Sequence, residues 1–436
     1  MLCAQTGRKD AAAALVEILP RRRALRLTTH AGGAICTRVW WPQRSASACG
    51  SASVIGSASV QRIETIATIA TVAPEARLGP VRQTYATAES FPPIARAYTQ
   101  VAEVVRETGL LRRTGWFYGA VGAALLLGLA GCVAGFVLLG PSWFQLLIAA
   151  ALGILLTQVS FLAHESAHKQ ILSSGPANDR IGRILANGIV GISYSWWNSK
   201  HSRHHANPNQ VGRDPDIEVD TIRFLEEDAA KVSGPLALIT RRQGWFFFPL
   251  LTLEGLNLHY LGLKHLFAKG EVKGRWTELA MIAARFAVFL TPVFFFLPLG
   301  MAFAFVGVQL AVFGVYMGAS FAPNHKGMPI IAPGTRIDFF SKQVRTSRNI
   351  RGGWWATWLM GGLNYQVEHH LFPSMPRPHL AKAREIVMDQ CRALDVPYTE
   401  TSLWQSYGIV IAYLNRVGLA ARDPFDCHLV SRFRPA

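Results

Sequence analysis

The sequence predicts an all-α integral membrane protein, with four transmembrane helices in two hairpins and a cytoplasmic helical cap that gathers most of its histidines. Three observations carry this expectation. Of 436 residues half are apolar and only 16% are charged, while Lys and Arg outnumber Asp and Glu by 44 to 27, a formal charge of +17. A soluble domain carries about a quarter charged residues, and a disordered chain lacks this much apolar material. Four apolar runs approach the roughly 20 residues that cross a bilayer. The cations stand at the ends of those runs, which favours a membrane surface as their partner and predicts no nucleic-acid binding.

Residues 1–80 are rich in Ala, Ser, Arg and Thr, as in Arg21-Arg22-Arg23 and the run 45–59, with little hydrophobic period. They read as a low-complexity, disordered N-terminal extension: either a targeting leader or residues upstream of the true translation start. Residues 94–113 read as an amphipathic lead-in helix. Spans are expected at 117–139 and 143–163, split by Gly140-Pro141-Ser142, and at 277–298 and 300–320, split by Pro298-Leu299-Gly300. Arg285 falls inside the third span and should snorkel or face the bundle. Residues 181–197, which end in Trp196-Trp197, and residues 244–267, with Glu254, His259, Lys264 and His265, read as interfacial. Charge in mid-segment is costly in hydrocarbon, and aromatic residues favour the headgroup level. A membrane domain over 85–400 would then leave 401–436 as a cytoplasmic C-terminal tail. Arg106, Arg112 and Arg113 precede the first span, Lys169, Arg180 and Arg183 follow the second, and Lys326 and Arg336 follow the fourth. The hinges carry no charge, so by the positive-inside rule they face outward and both termini face the cytoplasm.

Most of the 13 histidines fall into groups: His164-Glu165-Ser166-Ala167-His168, His201-Ser202-Arg203-His204-His205, His325, and Gln366-Val367-Glu368-His369-His370. Positions i and i+4 share a helix face, so His164 pairs with His168 and His201 with His205, with His204 at i+3. The groups meet only if no span separates 168 from 201 and an even number separates 205 from 325. The runs at 277–298 and 300–320 supply that even number. Eight imidazoles exceed the about four ligands of one zinc ion, and nitrogen-rich ligation suits Fe, Zn, Cu or Ni. Two metals with about four nitrogens each are expected, and such a site at a membrane suggests iron and oxygen chemistry on a lipidic substrate. The ring N–H groups need acceptors, for which Glu165, Asp179, Asp214, Asp216 and Glu368 are candidates, although Asp214-Pro215-Asp216 also reads as a solvated turn. His30, His259, His265, His379 and His428 stand alone and read as structural or solvent-facing. Cys3, Cys36, Cys49, Cys132, Cys391 and Cys427 form no C-x-x-C pair, so no disulfide framework, zinc ribbon or iron–sulfur set is expected.

These residues resemble the membrane fatty acid desaturase family, whose pattern is H-x-x-x-H, H-x-x-H-H and [HQ]-x-x-H-H. Here the boxes are His164-x-x-x-His168, His201-x-x-His204-His205 and Gln366-x-x-His369-His370. The flanks His204-His205-Ala206-Asn207-Pro208-Asn209 and Asn364-Tyr365 leading to His370-Leu371-Phe372-Pro373 are similar too. The resemblance covers about residues 85–400 and looks closest to bacterial acyl-CoA and acyl-lipid desaturases, including the front-end type with Gln opening the third box. It implies a four-span enzyme with two Fe on the cytoplasmic side. O2 and two electrons would remove two hydrogens from an unactivated acyl chain, leaving a cis double bond and water. The implied ligands are His164, His168, His201, His204, His205, His325, His369 and His370, with Gln366 and Asn324 as further candidates. Phe321 stands where animal acyl-CoA desaturases have Asn, and Glu165 where Asp is common.

The resemblance further implies an acyl-CoA or acyl-lipid substrate in an apolar slot within membrane lipid. Trp196, Trp197, Trp354, Trp355 and Trp358 would line its mouth or form a headgroup belt. Arg345, Arg348 and Arg351 would grip a CoA phosphate or anionic lipid. The sequence has no G-x-G-x-x-G after a strand, no Cys cluster and no His-Pro-Gly-Gly of a fused cytochrome b5. A separate ferredoxin or flavoprotein reductase is therefore the expected electron donor, and a basic face suits an acidic donor. Two rivals stand beside this reading. One is a hydroxylase of the same superfamily acting on alkanes, carotenoids or lipids. The other is an intramembrane zinc metalloprotease, since His164-Glu165-Ser166-Ala167-His168 also satisfies H-E-x-x-H; that reading leaves six histidines unexplained.

Overall fold

The computed structural model describes residues 96–421. The extension 1–80, the start of the lead-in stretch, His30, His428, four of the six cysteines and residues 422–436 lie outside the described residues.

The chain opens with α1 (Ala97–Glu107), whose apolar stripe Ala97, Val101 and Val105 is buried. Helices α2 (Gly115–Leu139) and α3 (Gln145–Ala167) follow, joined by a tight turn. Gly140 takes φ 53 and ψ −153 there, a region side chains exclude. The buried Gln145 amide donates to the carbonyls of Phe136 and Gly140 at 2.7 and 2.9 Å, closing the otherwise uncapped end of α2. Next come α4 (Gly175–Arg183), a wide π-type turn Ile184–Val190 and α5 (Tyr194–Ala206), then α6 (Glu226–Ala230), α7 (Pro235–Thr240), α8 (Gln243–Leu250) and α9 (Glu254–Phe267). The long α10 (Arg275–Phe296) and α11 (Leu299–His325) precede α12 (Phe339–Thr346), β1 (Asn349–Arg351), α13 (Trp354–Leu359) and α14 (Gln366–Leu371). The chain closes with α15 (Leu380–Ala393), β2 (Glu400–Ser402) and α16 (Leu403–Leu419). Strands β1 and β2 pair in parallel, Ile350 opposite Thr401.

Among the described residues four helices are long and apolar enough to cross a membrane: α2, α3, α10 and α11. They match the four expected runs, but two are longer than expected. Helix α3 runs on to Ala167, so His164 is helical as its spacing to His168 predicts, and α11 runs on to His325, which was expected just past the span. Pro323 does not stop α11. It leaves the Ala319 carbonyl without a helical N–H donor, and the Tyr407 hydroxyl of α16 fills that place at 3.0 Å. Helices α3 and α11 pack closely at Gly153, where a Cβ would lie 2.8 Å from the Gln309 carbonyl oxygen. Leu127, Val137 and Leu138 on α2 and Phe295 and Phe296 on α10 are broadly exposed, as suits faces turned to hydrocarbon.

The stretches 181–197 and 244–267 form only short helices. Arg285 faces the bundle, donating from Nε to the Ile189 carbonyl at 3.1 Å with its guanidinium 4.4 Å from the Phe289 ring centre. The residues from 401, read as a tail, are instead part of the folded unit as far as 421. Helix α16 buries Val410, Tyr413, Leu414 and Val417 against Phe247 and Leu251.

Candidate metal centre

Four elements deliver the grouped histidines. The last turn of α3 presents His164, and His168 follows as its C-cap. Helix α5 carries His201, His204 and His205. The end of α11 supplies His325, and the short α14 supplies His369 and His370. Each element is held from outside the site. Ser193 caps α5, accepting from Trp196 N at 3.2 Å, and its own hydroxyl donates to the fully buried Glu278 of α10 at 2.7 Å. Glu278 also accepts from the Ser195 backbone N–H at 3.2 Å and from the Ser195 hydroxyl at 3.0 Å. Asn209, in left-handed backbone just past α5, donates to the His325 carbonyl at 3.1 Å and so ties α5 to α11. Asn349 of β1 accepts from Val367 N, one of the N–H groups in the first turn of α14, at 2.9 Å.

The imidazoles gather in two sets. Ligand nitrogens of His164, His168, His201, His205 and His369 lie within 4.8 Å of one another, as do those of His204, His325 and His370. The division is five and three, where four and four was expected. In the set of three, every Nδ1 faces an acceptor: Asp214 Oδ1 for His204 at 3.0 Å, the Thr346 carbonyl for His325 at 2.9 Å, and Gln343 Oε1 for His370 at 2.9 Å. A neutral imidazole has one proton, and these partners place it on Nδ1. The Nε2 lone pairs of all three rings then point at one another, His325 Nε2 standing 3.3 Å from His204 Nε2 and 3.1 Å from His370 Nε2. Three converging lone pairs repel unless a cation sits among them. Two nitrogens about 2.1 Å from a metal and at right angles are about 3.0 Å apart, close to the spacing seen.

In the set of five, His201 Nε2 is 3.0 Å from His164 Nε2 and 2.9 Å from His168 Nε2. His164 Nδ1, both nitrogens of His205 and His369 Nε2 are buried without a hydrogen-bond partner. Orphaned buried nitrogens are costly, and a metal ion would engage His369 Nε2 and one nitrogen of His205, while each ring keeps its proton on the other nitrogen. Burial pushes His168 down to about 3 and holds His201, His205, His369 and His370 well below the ordinary imidazole range. These rings are therefore neutral, the form that binds metal. Burial acts the same way on His204, but Asp214 and Asp216 outweigh it and raise that ring. The residues present fit two imidazole-bound metal ions.

The candidate acceptors divide. Asp214 is buried and accepts from His204, and Asp216 lies 3.4 Å from the same Nδ1. The other three reach no imidazole. Glu165 forms a buried two-pronged ion pair with Arg377, at 2.7 and 2.5 Å. Asp179 binds Lys169 and the Tyr194 hydroxyl, and Glu368 accepts from Asn349 and the Tyr398 hydroxyl at 2.7 and 2.9 Å. Burial pushes Glu368 up to about 7. Gln366 lies beside the set of three, its Nε2 2.8 Å from His325 Nε2, and its Oε1 accepts from the Asn324 amide at 3.0 Å. Sequence reasoning missed Gln343, Thr346 and Glu278: an acceptor carbonyl leaves no mark in sequence, and Gln343 and Glu278 belong to no box. The ungrouped His259 and His379 bond backbone carbonyls of Gly255 and Leu110 at 2.6 Å each, outside the site.

Beside the histidines lies a cavity of about 760 Å³ lined mostly by apolar side chains, among them Phe247, Leu251, Leu258, Met317 and Phe321. His201, His204, His325 and Gln366 also border it, together with Trp196 and Trp197. Trp197 stacks on His201 with centroids 4.4 Å apart. Trp354, Trp355 and Trp358 stand exposed on α13 and do not line the cavity. Arg348 is only 1% exposed and donates to the Pro323 and Lys326 carbonyls, so it cannot grip a phosphate as expected.

Residues 141–402 match the fatty acid desaturase family. A Delta(8)-fatty-acid desaturase of Arabidopsis thaliana is 29% identical over 350 residues, covering 76% of each chain. An acyl-lipid (9-3)-desaturase of Borago officinalis is 27% identical over 356 residues, 78% of each chain. A Delta(6)-fatty-acid desaturase of Caenorhabditis elegans is 26% identical over 344 residues, 74% of this chain and 75% of its own.

Proposed function

Because this chain belongs to the fatty acid desaturase family and is a membrane fatty acid desaturase, we infer that its eight clustered histidines hold two iron ions. One bound by His164, His168, His201, His205 and His369 and the other by His204, His325 and His370. The observation that carries this reading is the convergence of three imidazole lone pairs whose Nδ1 protons are already engaged. Gln366, whose oxygen accepts from the Asn324 amide at 3.0 Å, would offer that oxygen to the second ion only by turning over and giving up that bond. When bound, the iron pair supplies the oxidising power, drawn from O2 and two electrons, that removes two hydrogens from an unactivated acyl chain and leaves a cis double bond.

The protein's own part is positional. Asp214, the Thr346 carbonyl and Gln343 keep three ring protons on Nδ1 and leave Nε2 free. The apolar cavity admits a chain and excludes water, with Trp197 and Phe321 beside the imidazoles. The relatives' names place their double bonds at the Delta(6) and Delta(8) positions, and the same carboxyl-side region is proposed here.

The membrane domain is proposed to run over 85–400 together with α16, crossing the bilayer at α2, α3, α10 and α11 in two hairpins. Because His205 and His325 share one site, the chain between them crosses an even number of times. Helix α9, with 14 residues, is about 21 Å long, short of the roughly 30 Å hydrocarbon core. A cytoplasmic side for the histidine cap and the termini is supported by the basic residues flanking the spans, and a separate ferredoxin or flavoprotein reductase would deliver the electrons there.

The test is expression in a host of known lipid profile, with fatty acids read by gas chromatography and mass. A new acid lighter by two hydrogens is expected; an added oxygen would favour the hydroxylase reading. His201→Ala and His369→Ala should abolish it while the protein stays in membranes with less than two Fe per chain. Full activity in either variant, or one Zn in place of iron, would overturn the assignment.

A further inference from the structure

A second cavity, of about 910 Å³, lies among the apolar helices and shares no lining residue with the one beside the histidines. Helices α2, α3 and α10 supply most of its wall, and the π-type turn adds Gly188 and Ile189. Val133 and Val137 of α2 and Val288 of α10 border it and are broadly exposed, so it opens sideways to lipid. Its lining on α10 runs from Met281 to Phe296, about 22 Å of helix. Among the described residues that line it, Arg285 alone is charged. Arg285 is 9% exposed. Its Nε donates to the Ile189 carbonyl at 3.1 Å, but its Nη1 is buried with no hydrogen-bond partner. Phe286 and Phe289 stand 5.3 and 4.4 Å from the guanidinium carbon and offer no lone pair to its N–H groups. Glu278, the acid of α10, lies about two turns away and already holds Ser193, Ser195 and Arg183. A cation left unpaired at membrane depth is costly, and such a group marks a site for an anion.

We propose that this second cavity binds a free long-chain fatty acid, its carboxylate on the Arg285 guanidinium and its tail laid along α10 toward the hinge between α2 and α3. A guanidinium is the group that best matches a carboxylate in shape and charge. The rest of the lining, from Met281 to Phe296 on α10 and to Gly140 and Pro141 at the hinge, suits a long apolar tail. Arg285 stands about 15 Å along α10 from Arg275. That depth excludes the head group of a two-chain phospholipid, whose phosphate stays outside the hydrocarbon core, whereas a carboxylate is compact enough to follow its tail inward. The site is separate from the acyl chain that reacts beside the histidines and does not depend on the iron assignment.

The experiment titrates oleate into the purified, iron-loaded full chain in detergent and counts bound ligand by native mass spectrometry. Ala284→Phe fills the cavity from α10 and lies away from the histidines. It should remove one oleate per chain and leave desaturation unchanged. Oleate binding equal to wild type in that variant would overturn the proposal, and lost desaturation would overturn the claim that the site is separate. Arg285→Gln should weaken oleate about 10–100-fold, the scale of a hydrogen bond to a charged group. Arg285→Lys keeps the charge and should weaken it less; equal losses in the two variants would refute the role given to the charge. Oleyl alcohol, with the same tail and no charge, should bind about 10–100-fold more weakly than oleate. Equal binding of the alcohol, or displacement of oleate by a lower concentration of phosphatidylglycerol, would also overturn the proposal.

Discussion

Asp214→Asn is the sharpest probe of how the second metal site is held. The Asp214 carboxylate has three donors to satisfy: His204 Nδ1 at 3.0 Å and Asp216 N at 2.9 Å on Oδ1, and Asn209 N at 2.7 Å on Oδ2. Asparagine keeps one oxygen and sets an NH2 group where the other stood. If the oxygen stays with His204, the NH2 meets the Asn209 N–H, donor to donor, and a buried mismatch of that kind costs about 1–3 kcal/mol. If the amide turns, the NH2 faces His204 and drives its proton to Nε2, directly among the lone pairs of His325 and His370. Either outcome weakens one metal site and spares the other. Loss of such a supporting acceptor typically lowers metal affinity about 10–100-fold, or roughly 1.4–2.7 kcal/mol. The assay is iron per chain in purified protein over a chelator titration. Wild type should release two ions together or in close steps, and the variant should lose one at a chelator concentration about 10–100-fold lower. A chelator curve identical to wild type would refute the claim that Asp214 fixes the His204 tautomer.

Three further outcomes are expected. Burial drops His168 from 6.5 to about 3, so between those values the unfolded chain binds the extra proton. Stability of the metal-free protein is then fully present above about pH 6.5 and falls as pH drops through the window; a denaturation midpoint unchanged between about pH 7.5 and about pH 5 would contradict this. Arg377→Met leaves Glu165 buried without its partner and should cost about 3–5 kcal/mol, read as a drop in thermal midpoint. Adding Glu165→Leu should recover much of the loss, and no recovery would count against the ion-pair argument. Glu278→Ala removes the acceptor of Ser193 and Ser195. Amides at the start of α5 should exchange faster in deuterium than in wild type, and unchanged rates would dismiss Glu278 as the strut of that helix.

The order of residues alone specifies the helical membrane architecture, because length and apolarity decide whether a segment can cross a bilayer, and the four runs stand out on that ground. It also determined which histidines belong together, since i and i+4 spacing holds two imidazoles on one helix face wherever that helix lies. It did not reach the split of five and three. His204 and His205 are adjacent, yet successive helical side chains diverge, so His204 joins His325 and His370 while His205 joins the α3 pair. Nor did it separate Asp214, which touches an imidazole, from Glu165, Asp179 and Glu368, which lie as near to the boxes in sequence but turn to Arg377, Lys169 and Asn349. The continuation of α11 through Pro323 depended on a hydroxyl from Tyr407, more than 80 residues later. Such choices are made by contacts between distant segments. Chain spacing fixes which atoms share a helix face, but only packing fixes which donor meets which acceptor.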